Sequence, residues 1–84
     1  MEQEKHVGVI AIIVHNRMET AEHVNGVLTE FGDIIVARVG VPYPARALNI
    51  IALVVDGTTD QIGSITGKLG QIHGVTVRAT LAKS

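Results

Sequence analysis

The chain has 84 residues, the length of one domain, and a domain this small buries only about 60–65% of the surface its unfolded chain exposes. It has no cysteine, so neither a disulfide nor a thiolate metal site is open to it, and with 46% apolar residues but only Phe31 and Tyr43 aromatic its core must be aliphatic. A net charge of −1 on scattered residues argues against a basic nucleic-acid-binding surface, and no apolar run reaches the ~18 residues that span a membrane.

Residues 1–5 are polar and read as a loose N-terminus. Acidic residues precede the first apolar run and no small-residue cleavage site follows, so the cytoplasm is the expected compartment. Val7 to Val14 is continuously apolar and β-branched, the pattern of a strand covered on both faces. His15-Asn16-Arg17 interrupts it. Asn16 is positioned to cap a helix, with Glu19 completing a capping box. From Met18 to Phe31, Ala21, Val24, Leu28 and Phe31 repeat at helical spacing, with Glu19, Glu22 and Glu30 on the outer face. Gly32 fits the left-handed position that ends a helix.

Asp33 to Val41 predicts a second strand, closed by Pro42 and Pro44, which cannot donate to a ladder. Tyr43 to Arg46 makes a short connection, and Ala47 to Val55 a third strand, again apolar on both faces. Asp56-Gly57 signals a turn. Thr58, Thr59 or Asp60 then caps a second helix that runs to about Ile72 on Ile62, Ile65, Leu69 and Ile72. Gly63, Gly67, Gly70 and Gly74 form a stripe beside that face, and each interior glycine costs about 0.5–1 kcal/mol relative to alanine. Close packing against another backbone, within or between subunits, is the expected compensation. A phosphate cradle would need its glycines before the helix, and Lys68 follows no phosphate-loop pattern. Val75 to Leu81 alternates cleanly, with Val75, Val77, Ala79 and Leu81 on one face and Thr76, Arg78 and Thr80 on the other.

The order βαββαβ predicts an α+β ferredoxin-like sandwich, residues 1–84 forming one domain. Its four-stranded antiparallel sheet has spatial order 4-1-3-2, with both helices on one face. The first and third strands would be central and apolar on both faces, yet helices cover one face only. An aliphatic sheet centre rimmed by Thr76, Arg78 and Thr80 would face water, which implies a homodimer or tetramer.

Ala37-Arg38-Val39-Gly40-Val41-Pro42 after the first helix, then the IGSITGKLGQI run of residues 62–72 followed by Gly74-Val75-Thr76-Val77, resembles one group of small bacterial proteins. These are the regulators of the iron-only hydrogenase system, stand-alone ACT-like domains. The likeness runs from His6 to Lys83, and Gly67-Lys68-Leu69-Gly70-Gln71-Ile72 is its most specific part. The resemblance implies an ACT-like fold, an oligomer, a regulatory role without established chemistry, and a protein partner in hydrogenase regulation. ACT domains bind small effectors, often amino acids, at the turn after the first strand. Here that turn, His15 to Ala21, lacks their usual proline and glycine. No DNA-binding segment is attached, so control of transcription would need a partner.

Effector contacts are expected at His15, Asn16 and Arg17, with Arg38, Gly70 and Gly74 as lesser candidates. No cofactor is called for. His6, His15, His23 and His73 show no recognisable metal-ligand spacing, leaving only His15 and His73 as weak candidates should they meet across an oligomer. Arg38, Arg46 and Arg78 would chiefly solvate strand edges, or bind an anion at the sheet rim. Arg17 with Asn49 raises an acylphosphatase-like enzyme as the alternative, against a loop without glycine. A ligand-free assembly adaptor is a third reading. An RNA-binding sheet is excluded, since the central strands carry no aromatic residue.

Overall fold

Two apolar strands, β1 (Lys5–His15) and β3 (Leu48–Thr58), pair antiparallel along their full length, from Lys5 opposite Thr58 to His15 opposite Leu48. The structure is a computed structural model that describes residues 4–15 and 18–82. The Asn16 cap and the Arg17 contact expected from the sequence lie outside them. β2 (Ile35–Tyr43) pairs with β3 and β4 (Val75–Leu81) with β1, so the sheet order is β2-β3-β1-β4. Two helices, α1 (Met18–Glu30) and α2 (Thr59–Gly70), complete the ferredoxin-like sandwich.

Pairing separates what the apolar runs conceal. Ile10, Ile12 and Val14 of β1 and Ile51, Leu53 and Val55 of β3 point into one core and are buried. Val24, Val27 and Leu28 of α1 and Ile62, Ile65 and Leu69 of α2 close over them. The intervening strand residues lie on the opposite face, where Val9 is 45% and Val54 39% exposed. Among the described residues the central strands are therefore covered on one face, not both.

Several boundaries differ from those expected. The chain leaves α1 through a 3-10 turn at Gly32–Ile34, and Gly32 is not left-handed. That turn delays β2 to Ile35, and β2 continues through Pro42 to Tyr43. An edge strand tolerates a residue with no N–H to donate. At its start β2 carries a bulge, with Ile35 opposite Val55 but Ala37 opposite Val54, leaving Val36 as the extra residue. Pro44–Arg46 forms a second 3-10 turn, ended by left-handed Ala47 at φ 53°. Asp56-Gly57 is not a turn but the end of β3; a Cβ on Gly57 would lie 3.1 Å from Ile34 Cγ2, so the glycine lets that turn pack against the sheet.

Thr58 caps α2. Its Oγ1 accepts from the Gln61 N–H at 3.1 Å, while its own N–H donates to Gln61 Oε1 at 2.9 Å, a complete capping box. The glycine stripe departs from expectation. A Cβ at Gly63 or Gly67 would meet nothing within 4 Å, so neither admits a neighbouring backbone inside the subunit. Close approach occurs instead at Gly8, where a Cβ would lie 2.6 Å from Leu81 Cδ2 and 2.8 Å from the Thr80 carbonyl oxygen.

Candidate functional site

Helix α1 crosses the sheet leaning on α2 and β1 more than on β2. The helix-side face of β2 carries Arg38, Gly40 and Pro42, opposite Leu53, Ile51 and Asn49 of β3. None of the three β2 residues extends an aliphatic side chain toward α1, so a cleft remains between helix and strand. Its volume is about 310 Å³, and Val14, Val24 and Ile51 supply aliphatic wall. Three polar side chains line it: Asn25 of α1, Arg38 of β2 and Asn49 of β3. Arg38 Nη2 donates to Asn25 Oδ1 at 3.3 Å, fastening the guanidinium across the cleft. Arg38 is the one charged residue among the described residues lining it. A single guanidinium beside two amides over an aliphatic floor is suited to an anion carrying an apolar part.

A second cluster lies at the end of β1. The His15 N–H donates to the Gly74 carbonyl at 3.0 Å. Gly74 sits at φ +85°, a left-handed conformation that favours glycine, and a Cβ there would lie 3.7 Å from the His15 Cβ. Gly70 ends α2 just before this turn, where a Cβ would meet Val77 Cγ1 at 3.5 Å. The structure thus joins His15 to Gly74 and sets Arg38 apart, in the cleft with Asn25. His73 borders a shallow depression with Met18, Glu19 and Thr20. Among the described residues no three His, Cys, Asp or Glu side chains converge to hold a metal ion.

The third surface is the open sheet face. Val9, Ile13, Val39, Val41 and Val54 are each between 38% and 60% exposed on it, with Ala11 and Ala52 among them. Thr76, Arg78 and Thr80 flank it on β4, opposite Ile13, Ala11 and Val9. Arg78 Nη1 donates to the Val77 carbonyl at 3.0 Å, so this arginine folds back on its own strand.

Sequence reasoning missed Asn25 and Gly40. One signal was present: Asn25-Gly26 places two poor helix formers in the middle of α1. Gly40 gave none, since its meaning depends on which way the β2 side chains face.

Compared with known proteins, residues 6–79 match the TM1266-like family, which bears the description iron-only hydrogenase system regulator. The structure of TM1266 from Thermotoga maritima is 39% identical and superposes with a TM-score of 0.94, over 95% of this chain and 100% of that one. The chain belongs to the TM1266-like family. No curated protein matches it. More distantly, the ACT domain of GTP pyrophosphokinase from Chlorobium tepidum is 20% identical, with a TM-score of 0.77 over 90% of this chain and 99% of that domain. The PII-like protein CPII from Thiomonas intermedia K12, solved with ADP, AMP and bicarbonate, is 15% identical with a TM-score of 0.54, over 94% and 92% of the two chains. At these identities the two neighbours establish the fold alone. The TM1266-like chain therefore has an ACT-like ferredoxin fold.

Proposed function

We propose that this TM1266-like protein is a regulatory module without catalysis of its own, working in the cytoplasm as a homo-oligomer and binding a small effector at a subunit interface. The family description supplies the system, iron-only hydrogenase. The observation that carries the assembly is the open sheet face, whose aliphatic centre is left exposed among the described residues. Contiguous exposed apolar surface of this kind marks an interface. A second copy presenting the same face would cover it on both partners.

His15, Asn16, Arg17, Arg38, Gly70 and Gly74 are the proposed effector contacts. The bond between His15 and Gly74 supports grouping the first turn with the turn after α2. Effector binding would shift oligomer state or affinity for a protein partner, in proportion to its preference for one state. Among the described residues no helix is long and apolar enough to cross a membrane.

The test is the solution mass by light scattering, alone and with a panel of metals and amino acids. A dimer or tetramer supports the sheet-face interface, and a ligand-dependent change in mass supports a sensor. A folded monomer under every condition would overturn the oligomeric reading. Phosphate release from an acyl phosphate would replace the regulatory reading with an enzymatic one.

A further inference from the structure

We infer that the cleft between α1 and β2 binds a small organic monoanion with an aliphatic body, its charged end on Arg38 and its body against Ala21, Pro42 and Ile51, above the buried Val14 and Val24. The inference takes from the small-effector reading above only the contact at Arg38, and gives a ligand held there a chemical class and a place within one subunit, apart from the His15–Gly74 turn. Four observations converge on it. Among the described residues that line it there is one positive charge and no carboxylate, so an anion is favoured and the ammonium of a zwitterion finds no counter-charge among them. Asn25 takes one of the five N–H donors of the guanidinium, and a carboxylate is the partner whose geometry suits the others. Apart from Asn49 the remaining wall is apolar, so a bare inorganic anion would leave that part of the cleft without a partner. At about 310 Å³ the cleft lies at the small end of the range for ligand pockets.

Gly40 supplies the fourth. It faces α1 from the middle of β2, opposite buried Ile51. Its φ is not in the left-handed region, so the backbone does not require glycine there. A Cβ would meet nothing within 4 Å. The missing side chain is therefore open space on the cleft wall, in a strand where a β-branched residue would otherwise be favoured.

The experiment is a titration of the 15N-labelled full chain, followed through the side-chain amides of Asn25 and Asn49 and the backbone amide of Gly40. The probes are isovalerate, its neutral isostere isovaleramide, valine, which is isovalerate with an added ammonium, and inorganic phosphate. Isovalerate is expected to give saturable shifts at all three positions, with each of the other probes binding about tenfold or more weakly. Gly40→Val should fill the cleft and Arg38→Gln should remove its charge. Each is expected to lower isovalerate affinity about tenfold or more while the rest of the spectrum stays native. Equal binding of isovaleramide or valine, undiminished binding to Arg38→Gln, or no saturable shift with isovalerate would overturn the inference. A monomeric mass would overturn the oligomeric reading alone and leave this result standing.

Discussion

Arg38 Nη2 and Asn25 Oδ1, 3.3 Å apart, join the edge strand β2 to helix α1 across a cleft that neither element fills. Both residues are exposed, and the bond is long for one between nitrogen and oxygen. Its net worth is small, and it competes with the poor helix propensity of asparagine, which costs up to about 0.7 kcal/mol relative to alanine. Asn25→Ala should therefore leave stability within about 0.5 kcal/mol of wild type, or raise it slightly. Urea denaturation measures this, and a loss well beyond that range would mean the bond holds α1 in place.

Val54 stands on the open sheet face, between Val9 of β1 and Ala37 of β2. A lysine there would extend into solvent in a lone chain but place uncompensated charge inside a face-to-face assembly. Val54→Lys should reduce the mass seen by light scattering to that of one chain, with the circular dichroism spectrum unchanged. An oligomer that survives the substitution would place the interface elsewhere.

Gly8 has no room for a side chain. A Cβ would lie 2.8 Å from the Thr80 carbonyl oxygen, which is backbone and cannot turn aside, so β4 would have to move. Gly8→Ala should destabilise the protein by about 1–3 kcal/mol, the usual cost of forcing extra atoms into a packed region. The loss should appear as a lower denaturation midpoint, and an unchanged midpoint would show that β4 shifts freely.

Thr58 satisfies the Gln61 N–H at the start of α2. Thr58→Ala should cost about 1 kcal/mol, and Thr58→Ser much less, because serine keeps the accepting oxygen. Thermal unfolding of the pair checks it; equal losses would assign the effect to the threonine methyl group instead of the cap.

How far the sequence reveals this molecule depends on how local each determinant is. The Thr58 cap and the alternation from Val75 to Leu81 are readable because the residues involved lie within a few positions of one another. Asp56-Gly57 misleads because the space Gly57 provides is taken by Ile34, more than twenty positions earlier in the chain. Pro42 misleads for a related reason: it ends a central strand but not an edge one, and edge position is a property of the finished sheet. The exposed sheet face follows from element order with apolar strands, so it could be anticipated. The cleft could not. Arg38 was visible as a residue of interest, but Asn25 and Gly40 acquire meaning only when the chain brings Arg38, thirteen positions on from Asn25, back against α1.

The bulge at Val36 determines which of the two surfaces receives the arginine. Were Val36 paired instead of bulged, it would stand opposite Val54, and Arg38 would move opposite Ala52. The guanidinium would then stand among the valines of the outer face, and Val39 would turn toward α1. A single unpaired residue thus sets the parity of the strand, and deletion of Val36 would remove the bulge while leaving Arg38 opposite Leu53 and facing α1.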